Sequence, residues 1–289
     1  MSKSTAVPAN LSGESPAPTL PGANLPWQQR REQLRAWLQQ HPVPKVPLDE
    51  VDAHFDSMPA HYWEQVMDGD IAWSLETVHG FFEMIARPNT PATTPFMDWR
   101  AEPQSKTTRV MLCTWDRHGL LAKAAAAFSA LKLNIRQADV YTRSDNVVLD
   151  VFHVSEADGR TAITPQHMEE VTFLLAGALS EPPRFASLWA CSRHKFLAQG
   201  SQMPPRVVFD NDAAVESTIV RIEAGDRLGL LYDVLQALAE LGLNIKQATV
   251  QTEKEVAKDA FHVTDESGHK ITDDTRLTEI RSRIESSIT

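Results

Sequence analysis

Apolar positions along the chain change period twice. From Trp27 to Gln40 they fall at Trp27, Leu34, Trp37 and Leu38, an approximate helical stripe. The prolines of HPVPKVP then interrupt it, since each removes a donor and restricts the residue before it. A second helical block is predicted from about Leu48 to Ala86, where Ile71, Leu75, Val78, Phe82 and Ile85 recur at helical spacing. RPNTPATTP (Arg87 to Pro95) has the composition of a linker. Beyond it the period drops to two. TTRVMLCTW predicts a strand, DRHG a turn and LLAKAAAAFSALK an alanine-rich helix. NIRQADVYTR and NVVLDVFHVS follow as strands joined through Ser144-Asp145. After EADGR a helix starts at Pro165, with Met168, Val171, Leu174, Leu175 and Ala178 on one face.

The same order then recurs. ESTIVRIEA predicts a strand, GLLYDVLQALAELG a helix, and NIKQATVQTE with VAKDAFHVTD two more strands. A last helix runs from about Asp273 to Ile288, with Leu277, Ile280, Ile284 and Ile288 aligned. Asp116–Thr142 and Asp226–Thr252 align without a gap at an offset of 226 − 116 = 110, with about half the positions identical. One residue is lost at the hairpin, so His153 and His262 stand 109 apart. Each copy is strand–helix–strand–strand–helix. A fourth strand is expected from RFASLWA or RVVFD in the first copy, while the second ends at its helix. This predicts an α+β protein of two ferredoxin-like (βαββαβ) units, each an antiparallel sheet with helices on one face. The expected divisions are 1–26 disordered tail, 27–105 helical segment and linker, 106–212 first unit with an inter-unit segment, and 213–289 second unit.

Composition narrows the functions. The 289 residues are 42% apolar, enough for sizeable cores. A formal charge of −10 disfavours binding along a nucleic-acid backbone, which needs a positive surface. No run of about 18 apolar residues exists to span a membrane. Residues 1–26, rich in Pro, Ser and Ala, lack the apolar stretch of a secretory signal. Two cysteines, Cys113 and Cys191, make neither a disulfide framework nor a metal knuckle, and a cytoplasmic location is expected.

Chemistry concentrates in the repeated Asp-Arg-x-Gly turn. A strand that enters a helix through it leaves the first helical N–H groups without intrahelical partners, a donor set that suits a carboxylate. Gly119 and Gly229 permit positive φ and close approach of a ligand to the backbone. Asp116 and Asp226 are placed either to cap the helix or to meet an ammonium group. Asn134 and Asn244 open the next strand with an amide that both donates and accepts. His153 and His262 read as sheet-face residues, and Trp63 and Trp73 as packing anchors. Gly200-Ser201 before Asp210-Asn211-Asp212 imitates a nucleotidyl-transfer motif, but Pro204 and Pro205 interrupt it.

DRHGLLAKAAAAFSALKLNIRQADVYT and DRLGLLYDVLQALAELGLNIKQATVQT resemble the ACT domain, a small-molecule-sensing module usually attached to metabolic enzymes. With HFDSMPAHYW ahead of them, they resemble the paired C-terminal ACT domains of bacterial PII uridylyltransferases over roughly residues 50–289. The resemblance implies ligand-binding residues Asp116, Gly119, Leu120, Asn134, Asp226, Gly229, Leu230 and Asn244, generally where two such units meet. It implies amino-acid sensing linked to nitrogen metabolism, with glutamine the leading ligand. A metabolic enzyme or PII-type protein is the implied partner, and a homodimer through open sheet edges is a further option. His118 and Leu228 stand where the family usually has proline, which favours an alternative, a ligand-independent interaction scaffold. The catalytic domains of those enzymes find no counterpart: none of the ten histidines precedes an aspartate, as the phosphohydrolase site requires. No catalytic residue, metal site or cofactor is therefore expected.

Overall fold

A computed structural model describes residues 26–102, 107–157, 162–179, 203–253 and 255–288. Residues 1–25 of the tail expected at 1–26, RFASLWA, Gly200-Ser201 and Cys191 lie outside the described residues. Four helices lead: α1 (Trp27–Gln40), α2 (Leu48–Ser57), α3 (Ala60–Gln65) and α4 (Asp68–Ile85). The single block expected from Leu48 to Ala86 is thus cut twice. Pro47 and Pro59 stand at the N-caps of α2 and α3, where a missing N–H costs nothing.

The first half of the sheet comprises β1 (Phe96–Glu102), β2 (Thr107–Trp115), β3 (Asn134–Asp139) and β4 (Val147–Ser155), with α5 (Leu120–Ala130) and α6 (Pro165–Leu179). The second comprises β5 (Arg206–Asp210), β6 (Thr218–Gly225), β7 (Asn244–Glu253) and β8 (Val256–Thr264), with α7 (Leu230–Glu240) and α8 (Asp274–Ile288). All pairings are antiparallel, in the order β1-β2-β4-β3-β7-β8-β6-β5.

One expectation is corrected. The fourth strand of each half comes from upstream: β1 pairs with β2, and RVVFD, expected in the first unit, pairs with β6 as part of the second. The sheet halves therefore begin ahead of residues 106 and 213. The edges β3 and β7, which could have recruited a second chain, pair with each other inside this one. The outer edges are β1 and β5.

Helices α5 to α8 cover one face of the whole sheet and share one core, including Leu112, Phe128, Phe152, Leu238, Phe261 and Ile284. Ala124, Ala125, Ala126 and Ala127 are all buried, which lets neighbouring elements approach α5 closely. Helices α1 to α4 cover the other face of the first half only, packing on Met111, Cys113, Tyr141, Val147 and Leu149. The two copies differ in sequence accordingly. RVMLC and VVLDVF are nearly continuous apolar runs because both faces are covered. In the second half Val220, Ile222 and Ala224 point to the core while Arg221 and Glu223 are exposed. Among the described residues no helix is long and apolar enough to cross a membrane.

Candidate functional site

The two Asp-Arg-x-Gly turns have one backbone design. Asp116 N–H donates to Asn146 O and Asp226 N–H to Glu255 O, both at 2.8 Å. Leu120 N–H donates to Arg117 O and Leu230 N–H to Arg227 O, both at 3.1 Å. Gly119 (φ 72°) and Gly229 (φ 82°) cap the helices in the left-handed region, which penalises a side chain by about 1–2 kcal/mol. Around Gly119 a Cβ would meet nothing within 4 Å. Neither helix has a side-chain cap, so Asp116 and Asp226 do not cap, one of the two roles open to them. The second and third helical amides of α5, on Leu121 and Ala122, have no intrahelical acceptor by position.

The eight candidate residues regroup across the halves. Asp116, Gly119 and Leu120 of the first turn share a cleft with Asn244, not with Asn134. Asp226, Gly229 and Leu230 share a pocket with Asn134. Sequence proximity pairs each turn with the asparagine of its own copy. The antiparallel docking of β3 on β7 exchanges them. The space differs sharply, about 790 Å³ in the first case and about 20 Å³ in the second.

The seam explains the inequality. Gln137, Ala138 and Asp139 of β3 pair with Gln251, Val250 and Thr249 of β7, and there the ladder ends. Beyond Asp139 the strands part, and Val140, Thr142, Arg143 and Ser144 line the large cleft opposite Asn244–Gln247. Tyr141 is held by the helical layer: its ring lies 5.4 Å from His61 and 5.1 Å from Tyr62, and its hydroxyl donates to Gln65 Oε1 at 3.3 Å. His61 Nε2 donates to Val140 O at 3.4 Å, and Ser144 N–H donates to Ser57 O at 2.9 Å. Pro59 and His61 thereby become part of the cleft wall.

At the closed pocket, Arg136 Nη1 approaches Asp226 Oδ2 at 3.6 Å. Arg227 is buried against Asp233 at 2.8 Å. Lys123 of the first copy occupies the position of Asp233, and Lys246 of the second copy that of Arg136. Arg117 instead bonds Thr114 Oγ1 at 2.7 Å and Thr93 O at 3.1 Å.

One pair of residues escaped the sequence reading. Asp150 of β4 lines the open cleft and Asp259 of β8 the closed one, 109 positions apart. Both are buried, and among the described residues the Oδ1 of each lacks a hydrogen-bond partner. Burial raises the Asp150 carboxyl well above the usual range, against a backbone hydrogen bond from Tyr141, with Asp116 adding repulsion. Asp259 is pushed up to about 7 in the same way, with Asp226 the nearby charge. The signal was available: strand alternation puts the aspartate of LDVFHV and of KDAFHV on the apolar face.

The remaining candidates have structural surroundings. Trp63 and Trp73 are buried, and Trp73 Nε1 donates to Asp98 Oδ2 at 2.7 Å. Burial lowers the pKa of His153, which lies 3.4 Å from Glu102, and of His262, which meets Ser217 Oγ at 3.2 Å. His262 also lines the open cleft. Asp210 accepts from Asp212 N–H and Ala213 N–H at 3.0 Å and pairs with Arg221, and Asn211 bonds Ile271 O, so this stretch serves a turn. Burial raises the thiol pKa of Cys113. Among the described residues no three His, Cys, Asp or Glu side chains gather as a metal-binding group.

Residues 213–289 match the model of the ACR family N-terminal ACT domain. The chain is 33% identical over 180 residues to the bifunctional uridylyltransferase/uridylyl-removing enzyme of Azospirillum brasilense, 61% of this chain and 19% of that protein. It is 31% identical over 217 residues to the enzyme of that name from Rhodospirillum rubrum, 71% of this chain and 22% of the relative. With that of Ruegeria pomeroyi, identity is 25% over 264 residues, 90% and 27% of the two chains. The chain thus spans about a fifth to a quarter of the relatives it matches, and the matched portion is their C-terminal part.

Proposed function

We propose that the chain is a non-catalytic regulatory protein that senses an amino acid, glutamine first among them, in the cleft between its two ACT-like halves. One observation carries the reading. The turn Asp116–Gly119 and Asn244, distant in sequence, meet across a space of about 790 Å³, within the range of small-molecule sites. The amides of Leu121 and Ala122, without intrahelical acceptors by position, suit a carboxylate, and Asp116 with Asp150 suits an ammonium group. A ligand there touches both halves and, through Pro59 and His61, the helical layer. Its differential affinity for two packings of these parts would bias a bound enzyme or PII-type protein by about 1–3 kcal/mol. The likeness to the C-terminal part of uridylyltransferases supports the link to nitrogen metabolism.

Thermal unfolding across a panel of the amino acids tests the reading. A ligand at a hundred times its Kd adds about 2.7 kcal/mol, so one or two members should raise Tm clearly and the rest should not. A flat panel at millimolar concentrations would leave the scaffold alternative.

A further inference from the structure

We propose, resting on the amino-acid reading above, that Asp150 receives the ligand's ammonium group in the open cleft, and that the chain holds one ligand rather than two. Asp150 is 1% exposed and lines the cleft, and its buried Oδ1 has no hydrogen-bond partner among the described residues. A buried acceptor left unmade is costly, and a donor that brings positive charge removes the cost. Among the described residues no lining side chain donates to it. Arg117 is bonded to Thr114 and Thr93, Arg143 is held by Asp145 at 2.8 Å, and Lys246 is exposed on β7. Asp116 adds a second carboxylate beside the first, so the floor of the cleft favours a cation. The amides at the head of α5 lie on the same cleft and accept the opposite end of a zwitterion.

The twin position has the same unpartnered Oδ1 without room to use it. Asp259 Oδ1 also lacks a donor, but its pocket of about 20 Å³ has space for about one water. Arg136 already stands beside Asp226 there. The two copies of the turn thus border one open cleft and one sealed pocket.

Calorimetric titration of the full chain decides the matter, with L-glutamine and glutaramic acid, the same skeleton without its α-amino group. If the thermal panel selects another amino acid, that acid and its des-amino counterpart replace them. One ligand per chain is expected, with the amino acid preferred by about tenfold or more. Asp150→Asn should erase most of that preference, whereas Asp259→Asn should keep both affinity and preference. Two ligands per chain, or an undiminished preference in Asp150→Asn, would overturn this inference and leave the amino-acid reading standing. A wild-type chain blind to every amino acid would remove both. Should Asp150→Asn fail to fold, equal binding of the two probes by wild type overturns the assignment, and discrimination between them with one ligand per chain supports it.

Discussion

Asp139 faces Thr249 across the seam, and the two are the same position of the repeat, 249 − 139 = 110 residues apart. A pseudo-twofold axis passes through that pair. Symmetry would extend the ladder equally to both sides of it. It extends only toward Gln137 and Gln251, because the helical layer on the first half holds Val140 and Tyr141 on the other side.

Tyr141→Gln, which installs the residue of its repeat counterpart Gln251, should therefore weaken the open cleft. Loss of a buried aromatic ring against Tyr62 and His61 should cost about 2–4 kcal/mol of stability. Amino-acid affinity should fall with it. Chemical denaturation and ligand titration on the same samples check both effects.

Asp259 sets a pH dependence. Its pKa is about 7 in the fold and near 4 when unfolded, so between these values the folded state keeps a proton that the unfolded chain releases. This contribution is complete below about pH 4 and lost as pH rises to 7. Asp259→Asn should gain on wild type by up to about 1.4 kcal/mol per pH unit over that window, then hold level. Urea midpoints at half-unit steps of pH would show it.

His54 works in the opposite direction. It is fully buried, its Nε2 lies 3.3 Å from the Tyr62 hydroxyl, and burial pushes its pKa down to about 3. The unfolded chain binds the proton more tightly, so stability present above about pH 6.5 drains away as pH falls toward 3. His54→Gln should flatten the acid limb by about 1.4 kcal/mol per pH unit between pH 4 and 6. An unchanged acid limb in the variant would refute the assignment.

Two helical glycines should respond oppositely to alanine. A Cβ on Gly80 of α4 would sit 2.6 Å from the Phe96 ring, so Gly80→Ala should cost about 1–3 kcal/mol by forcing α4 from β1. Among the described residues nothing lies within 4 Å of a Cβ on Gly177 in α6, and Gly177→Ala should stabilise by about 0.5–1 kcal/mol. Parallel thermal melts compare them.

Most of the fold was legible in the sequence, because period and repeat agree. Ile280, Ile284 and Ile288 line the buried stripe their spacing predicts, and Pro165 starts its helix. Strand β1 was not, since FMDWRAE carries Asp98 and Arg100 on a face that looks solvated. That face is in fact engaged by Trp73, whose indole donates to Asp98 and lies 4.5 Å from the Arg100 guanidinium. The eight turn and strand residues were legible as types but not as partners. Asn134 and Asn244 change hands only when the halves dock, and no local pattern encodes that exchange. Asp150 was hidden differently, as a polar residue inside a run read for its apolar neighbours.

Because β3 and β7 belong to one polypeptide, the walls of the cleft come together at an effective concentration fixed by their tether. Two free modules would separate on dilution and take their shared site apart. Here the site forms by a first-order step, so its readiness is independent of how many copies the cell makes.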